Sequence, residues 1–355
     1  MTHGTQIGVF FDGTCNNMDK DLAKECETNV AKLFQLYNTA ETPRFIQNAK
    51  FYIRGVGSKF GEYILGSMTG AGGEDRIIEM LENISLHFNR PEVRDLSPKV
   101  IDICGFSRGS AQARHFVNII KHEGIIDEQT DEPFADIQIR FLGLFDTVAS
   151  FGIPGNDLDP GFDFHVDADY VAYTLHLVAE HESRSTFDLM SIKAAADTPL
   201  PANMKEETYP GAHSDLGGGY GYIAKRDPIV LKRKNHKITI PGQPEKFNHL
   251  SRMSLRTMHT TMRKLQVPLL DLEQHPEYAK RIEISDELQQ FFDQNRSGMS
   301  FEDAIQTKYI HDSRYAADTF MDDLSDNPGE RTIYYAKAYP QFWKDRQYVA
   351  ANLDV

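Results

Sequence analysis

Residues 105–109 have the sequence GFSRG, a G-x-S-x-G motif in which Ser107 is a candidate nucleophile. A serine on a sharp turn can attack an ester carbonyl when a histidine removes its proton. The motif is short and recurs by chance, so the alternative is a glycine-bordered turn with an exposed serine. The neighbouring sequence bears on this choice, because a nucleophile turn needs a strand before it and a helix after it.

Both neighbouring segments fit the nucleophile interpretation. Residues 100–104 are VIDIC, a run typical of a strand buried on both faces of a parallel sheet. From residue 110 onward, apolar side chains recur at helical spacing, with Arg114 and Lys121 predicted to face outward. The backbone amide of Arg108 would then lie at a helix N-terminus and point toward an oxyanion.

A second oxyanion donor is predicted in the loop after the first strand. Residues 6–11 are strand-like and lead into the polar sequence DGTCNN. A loop of this kind supplies the second amide in serine hydrolases of such architecture, which makes the backbone amides of Gly13 and Thr14 candidates. The alternative is an ordinary turn in which Asp12 and Asn16 cap the next helix.

The acid of a catalytic triad is expected between the nucleophile and the histidine in the sequence. Residues 137–144 are predicted to form a strand, and Asp146 follows it closely. A carboxylate at the carboxyl end of a strand can hold a histidine in the productive tautomer and stabilise its imidazolium. The alternative is that Asp146 only caps its loop through the amides of Thr147 or Ser150.

His213 is the best candidate for the base among the 13 histidines. It lies in GAHSDLGGGY at residues 211–220, and a glycine-flanked loop can reach across the top of a sheet. Asp215, two residues later, is either bonded to its own loop's amides or an alternative acid.

Strands and helices alternate over the first two thirds of the chain, which predicts an α/β fold with a doubly wound, mostly parallel sheet. Further strands are predicted at 50–54, and helices at 29–37, 74–88, 170–182 and 250–265. The helix over 170–182 is expected to carry His176, His181 and Glu182 on the surface or in a lid. Residues 1–225 are predicted to form the catalytic core, and residues 226–355 a mostly helical cap or extension packed on it.

Composition excludes several function classes. The net charge of −14 argues against a nucleic-acid partner, which would require a concentrated basic face. The three cysteines show no metal-ligand spacing, so neither a metal nor another cofactor is expected. The glycine-rich run at 66–73 lacks the ending of a phosphate-binding loop. No signal peptide or membrane-spanning run is recognisable, which predicts synthesis in the cytoplasm.

Six motifs in order along the chain resemble one known family, the α/β-hydrolase-like lipase effectors of bacterial type VI secretion, first family. The motifs are FFDGTCNN at 10–17, RGVGS at 54–58, GAGG at 70–73, GFSRGSAQAR at 105–114, GLFDTVASFG at 143–152 and YPGAHSDLGGGY at 209–220. They span roughly residues 5 to 225. Six ordered motifs are far more specific than G-x-S-x-G alone.

The resemblance implies a phospholipase of A1 or A2 type that cleaves bacterial membrane phospholipids and works at the membrane surface. It implies Ser107 as nucleophile, His213 as base and Asp146 as acid. It also implies delivery by the secretion apparatus through a spike component, action in the periplasm of target cells, and a cognate immunity protein.

Two alternatives remain open from the sequence. Many effectors of this kind are longer than this chain and carry a membrane-docking module. A compact chain could act on a smaller ester, so a soluble carboxylesterase or thioesterase is one alternative. A non-enzymatic interaction module on the same fold is the other. The basic segment at 225–237 is either a contact for anionic lipid headgroups or, as we prefer, a solvated hairpin.

Overall fold

The computed structural model describes residues 3–57, 72–150, 161–184, 187–221, 229–233, 236–240, 247–294, 309–311, 331–338 and 342–344. The described strands are β1 (Thr5–Phe11), β2 (Ala49–Ile53), β3 (Lys99–Phe106), β4 (Ile126–Asp127), β5 (Glu132–Pro133), β6 (Ile137–Phe145), β7 (Thr174–Ala179), β8 (Leu189–Ser191), β9 (Met204–Tyr209), β10 (Ile229–Arg233), β11 (His236–Ile240) and β12 (Ile333–Tyr335). The described α-helices are α1 (Met18–Asp21), α2 (Asn29–Leu36), α3 (Gly73–Phe88), α4 (Arg108–His122), α5 (His213–Gly217), α6 (His249–Lys264), α7 (Pro276–Ala279) and α8 (Asp286–Gln294).

Six strands form one sheet in the order β2-β1-β3-β6-β7-β9, and every neighbouring pair is parallel. The predicted parallel α/β sheet is therefore confirmed. The chain runs outward from β1 to β2, then crosses back to β3 and continues in the other direction. The order thus reverses between β1 and β3. Ligands bind outside the carboxyl ends of the strands at such a reversal, which is where the loop after β1 and the G-x-S-x-G turn lie.

The sheet is buried on both faces. On one face, Val9 of β1 and Ile103 of β3 pack with α3 and α4 in a cluster that includes Ile77 and Phe116. On the other face, Phe10 and Cys104 pack with α2 and α6. Successive residues of β1 and β3 point to opposite faces, so each strand contributes to both layers. This explains why their sequences are continuously apolar.

Part of the chain after residue 225 belongs to this packing. Helix α6 buries Met253, Met258 and Met262 against the sheet, so its methionines are core residues. Strand β12 pairs with β8 in parallel. Strands β10 and β11 pair as an antiparallel hairpin, while the side chains of the basic segment lie outside the described part of the structure. The domain boundary at residue 225 stays a prediction.

The helix predicted over 170–182 is wrong, because β7 occupies its centre between β6 and β9. All six residues of β7 are buried, including Thr174 and His176. The predicted surface position of His176 is therefore wrong as well. Its imidazole contacts Glu206 through Nδ1 at 3.0 Å and accepts the Thr147 amide through Nε2 at 3.1 Å. Both faces of β7 therefore lie in the core, so its polar residues do not mark a side that faces solvent.

Arg114 of α4 is also buried, against the expectation that it faces outward. Its guanidinium donates to three backbone carbonyls, which belong to Phe164 (2.6 Å), Met190 (2.7 Å) and Ser191 (3.0 Å). The segments around these carbonyls cover the helix face that the sequence pattern assigned to solvent. Among the described helices, none combines the length and apolarity needed to cross a bilayer.

Candidate active site

Ser107 forms the turn between β3 and α4. Its backbone φ is 58° and its ψ is −127°, a conformation that residues other than glycine rarely adopt. Such strain is typical of functional sites and is expected at a nucleophile turn. The turn is tied to β6, because the Ser107 amide and the Ser110 hydroxyl both donate to the Phe145 carbonyl, at 2.9 Å and 3.0 Å.

The two glycines of the motif are required by close backbone approach. A Cβ on Gly105 would lie 2.6 Å from the Gly109 carbonyl oxygen, nearer than carbon and oxygen can approach without displacement. A Cβ on Gly109 would collide with the carbonyl oxygens of Phe11 and Asp12. Glycine at 105 therefore lets the start of α4 pack on the end of β3, and glycine at 109 lets it sit against the end of β1.

His213 and Asp146 form a buried pair. The imidazole Nδ1 lies 2.6 Å from Asp146 Oδ2, and the two side chains are 4% and 0% exposed. Asp146 follows the last residue of β6 and has a positive φ of 43°, while His213 is the first residue of α5. The structure thus brings together the predicted acid and base, and the hydrogen bond to Asp146 fixes the tautomer with the proton on Nδ1.

The ring of Phe106 connects the parts of this site. It lies one residue before Ser107, and the His213 imidazole packs on it with a centroid distance of 4.6 Å. Two glycines also approach the Phe106 ring closely. A Cβ on Gly13 would lie 2.6 Å from the ring, and a Cβ on Gly217 would collide with it. The nucleophile turn, the histidine helix and the loop after β1 therefore meet around one side chain.

The electrostatics of the pair suit a base and its acid. Burial lowers the pKa of His213, and the hydrogen bond and charge of Asp146 offset this only in part. Burial would raise the pKa of the Asp146 carboxyl, but the charge of Arg331 and the hydrogen bond from His213 outweigh it and hold that pKa well below its usual range. At neutral pH the imidazole is consequently neutral and the carboxylate ionised.

Asp215, the alternative acid, has another partner. Its Oδ1 lies 2.5 Å from Nδ1 of His311, and its Oδ2 accepts the backbone amides of Ala212 and His311. The alternative role as an acceptor for its own loop is therefore present in the Ala212 contact. Of the two candidate acids, Asp146 is the one in contact with His213.

The loop after β1 is held by the buried carboxylate of Asp12. This carboxylate accepts the Gly13 amide at 2.7 Å, the Thr28 hydroxyl at 2.7 Å, and the Tyr52 hydroxyl. Burial raises the pKa of Asp12 to about 6, although these hydrogen bonds oppose the shift. Neither Asp12 nor Asn16 caps the next helix, since Asn17 provides that cap.

Arg108 joins this loop to the nucleophile turn. Its Nε donates to the Thr14 hydroxyl at 2.5 Å, so the side chains next to two of the predicted oxyanion amides are in contact. The Gly13 amide is engaged by Asp12, as described above. This favours Thr14 over Gly13 as the donor from the loop.

Four residues around His213 were not singled out by the sequence as parts of the site. Glu182 accepts the His213 amide at 3.2 Å and pairs with Arg184 at 2.9 Å. Arg184 lies over the ring of Phe187, and that ring meets the His213 imidazole edge to face at a centroid distance of 5.0 Å. Arg331 contacts Asp146. None of these residues belongs to a local motif that assigns it to a site, and Glu182 was expected on the surface.

No group of three or more histidine, cysteine, aspartate or glutamate side chains in the described ranges is arranged to hold a metal ion. Residues 66–71 of the glycine-rich run lie outside the described part of the chain.

A parallel α/β sheet that carries a strained serine turn beside a buried histidine–aspartate pair defines a protein of the serine-hydrolase class. Within that class, the family described as the catalytic domain of Tle1-like phospholipase effectors of the type VI secretion system matches residues 5–138 and 127–261. These matches cover well over half of the 355 residues, and the chain belongs to this family.

Two solved structures are similar in fold. A crystal structure of an uncharacterized protein from Pseudomonas aeruginosa is 23% identical with a TM-score of 0.59, over 84% of this chain and 51% of that one. The chain thus spans about half the length of that protein. The structure of the Tle1 effector bound to the VgrG spike is 21% identical with a TM-score of 0.62, over 88% of this chain and 85% of the other. No curated protein sequence matches the chain.

Proposed function

We propose that the chain is a serine phospholipase of A1 or A2 type that hydrolyses bacterial membrane phospholipids. The observation that carries this proposal is the buried contact between His213 and Asp146 on the ring of Phe106, next to the strained Ser107. Membership of a phospholipase effector family supports the choice of a phospholipid ester as substrate.

The proposed mechanism uses Ser107, His213 and Asp146. With Nδ1 of the imidazole donating to Asp146, Nε2 is the nitrogen that can accept the Ser107 proton. Ser107 then attacks the ester carbonyl, and the amides of Arg108 and Thr14 stabilise the oxyanion. Asp146 stabilises the imidazolium, which next protonates the leaving alcohol. Water hydrolyses the acyl-enzyme by the same route.

We also propose that the protein is an effector delivered through a spike component of the type VI secretion system. The family description and the Tle1 structure bound to a VgrG spike support this partner. Action from the periplasm of the target cell and neutralisation by a cognate immunity protein are parts of the same proposal. The membrane contact is expected to be peripheral, at the lipid surface.

The test measures fatty-acid release from vesicles of mixed bacterial phospholipids by the purified protein, beside Ser107→Ala. Ser251→Ala is the matched control, because Ser251 is a buried serine of α6 whose hydroxyl donates only to the Asn248 carbonyl among the contacts described. We expect Ser107→Ala to lose about 10⁶-fold in kcat, as loss of a triad nucleophile does, and Ser251→Ala to retain activity.

Other outcomes select the alternatives. An inactive wild type on vesicles, together with hydrolysis of p-nitrophenyl butyrate and labelling of Ser107 by a fluorophosphonate, would assign a soluble esterase. Failure of both hydrolysis and labelling would assign a non-enzymatic module.

A further inference from the structure

Arg331 contacts the candidate acid although 185 residues separate the two in sequence. Its Nη1 donates to Asp146 Oδ1 at 2.7 Å, and its Nη2 donates to Asp146 Oδ2 at 2.9 Å. The two parallel hydrogen bonds form the forked geometry that gives an arginine–carboxylate pair its directional strength. The Arg331 side chain is 8% exposed and Asp146 is fully buried, so water does little to screen this pair.

The fork completes the set of donors around the Asp146 carboxylate. Oδ1 also accepts the Ala179 amide at 2.9 Å, and Oδ2 also accepts Nδ1 of His213. Each oxygen therefore receives two hydrogen bonds, which matches the capacity of a carboxylate. Because any rotation of the carboxylate would break several bonds at once, Oδ2 is held in place for the imidazole.

The pairing of β12 with β8 positions Arg331 next to Asp146. The Leu189 amide donates to the Thr332 carbonyl at 3.0 Å, where β12 lies alongside β8. The Arg331 Nε donates to the Phe187 carbonyl at 2.5 Å, and the Phe187 ring packs against the His213 imidazole. Arg331 thus binds the carboxylate of the pair directly, and it binds the residue that covers the imidazole.

The charge of Arg331 also acts on the proton affinity of His213. The charged or titratable groups nearest the imidazole are Asp146, Arg331, Glu182, Arg184, and Asp215 with its partner His311. Glu182 is matched by Arg184, whereas the Asp146 carboxylate is matched by Arg331. Removal of the Arg331 charge would leave Asp146 as an uncompensated anion beside His213 and favour the imidazolium.

We propose that Arg331 is a positioning residue of the active site, which fixes the Asp146 carboxylate and limits the basicity of His213. This inference rests on the proposed serine-hydrolase function and deepens it. It assigns a role to the segment around β12, which none of the six sequence motifs contains.

The test compares Arg331→Met, which removes both charge and fork, with Arg331→Lys, which keeps the charge alone. Arg140→Met is the matched control, because Arg140 also forms a two-bond fork on a buried carboxylate, that of Asp102 in β3, through Nε at 2.8 Å and Nη2 at 2.6 Å. Asp102 lies five residues before Ser107 along the strand, roughly 16 Å away at the usual rise per residue. Two readouts are used: kcat/KM against pH on p-nitrophenyl butyrate, and NMR titration of the His213 ring.

We expect Arg331→Met to lower kcat/KM about 10- to 100-fold at its optimum, the size of loss seen when the hydrogen-bonding partner that orients a metal-ligating side chain is removed. The acid limb of its pH profile, where kcat/KM rises with pH, should move to higher pH by about one unit or more. The pKa of His213 in the NMR titration should rise by the same amount. Arg331→Lys should lose rate while its acid limb stays at the wild-type pH, and Arg140→Met should change neither quantity.

Wild-type pH profiles and wild-type rates in both Arg331 variants would overturn the inference. If Arg331→Met does not fold, as circular dichroism would show, Arg331→Lys decides: wild-type kcat/KM in that variant contradicts the positioning role. If the wild-type protein hydrolyses no ester, the proposed function fails. The NMR titration then still tests whether Arg331 controls the protonation of His213.

Discussion

Two buried histidine–aspartate pairs each include one residue of the short helix α5, and they share the same kind of contact. In one pair His213 Nδ1 binds Asp146, and in the other His311 Nδ1 binds Asp215. Their surroundings differ. The His213 ring lies on Phe106, next to Ser107, whereas the His311 ring stacks on Tyr220 at a centroid distance of 4.3 Å.

The other partners of the two carboxylates differ as well. Asp146 accepts a forked arginine, and Asp215 accepts two backbone amides. The imidazole of His311 keeps a buried Nε2 with no hydrogen-bond partner among the described residues. A carboxylate–imidazole contact alone therefore does not single out one of the two pairs. The pair that we propose as catalytic differs in two ways: its imidazole packs on Phe106, the residue before Ser107, and its carboxylate is fixed by Arg331.

The two histidines give the largest expected difference. His213→Ala should lower kcat about 10⁶-fold, because the nucleophile loses its base. His311→Ala should keep the catalytic rate but lower the free energy of unfolding by about 3 kcal/mol, because it leaves a buried carboxylate without its partner. Ester hydrolysis and urea unfolding of both variants measure this, and equal losses of activity would erase the distinction between the pairs.

The two aspartates give a smaller contrast. Asp146→Asn should reduce kcat about 10⁴-fold, because the amide no longer holds the tautomer of His213 that accepts the serine proton. In Asp215→Asn the remaining carboxamide oxygen can still accept the two backbone amides that Asp215 Oδ2 binds. This change should therefore lower the free energy of unfolding and leave kcat nearly unchanged. A rate loss in Asp215→Asn as large as that in Asp146→Asn would reinstate Asp215 as the acid.

A third buried carboxylate, Asp12, has neutral donors only, namely two hydroxyls and an amide. Its pKa is raised from 3.8 to about 6, so the folded state binds this proton more tightly than the unfolded chain does. Stability should therefore fall as pH rises from about 4 to about 6, by about 3 kcal/mol for this group. Denaturant unfolding of the wild type and Asp12→Asn at pH 4 and pH 7 isolates this contribution. A wild-type–variant difference that is the same at both pH values would contradict it.

The elements that the sequence predicted well carry local signals. Strand β3 and helix α4 flank a short motif, and α2 and α3 show clear helical periodicity. The contact between Asp146 and His213 also follows the predicted chain order. Strand β7 was missed because its polar residues, Thr174 and His176, are buried in the core, whereas the sequence interpretation placed the polar residues of this segment on a solvent-facing side.

The surroundings of the candidate site could not be predicted in the same way. Arg331 reaches Asp146 only through the pairing of β12 with β8, and no local pattern marks a contact between such distant residues. The same holds for Phe187, whose packing on His213 depends on tertiary structure. Phe106 stood inside the motif, but its role in joining three segments appears only in three dimensions.

The distance along the chain between Asp146 and Arg331 has a consequence for biosynthesis. A ribosome that adds about 5–20 residues per second needs roughly 10–40 s to make the 185 residues between them. During that interval the nascent chain already contains Ser107, and later His213, while Asp146 lacks its guanidinium partner. The order of synthesis therefore makes Arg331 the last of these four groups to arrive, so the arrangement seen in the finished protein is absent from the growing chain.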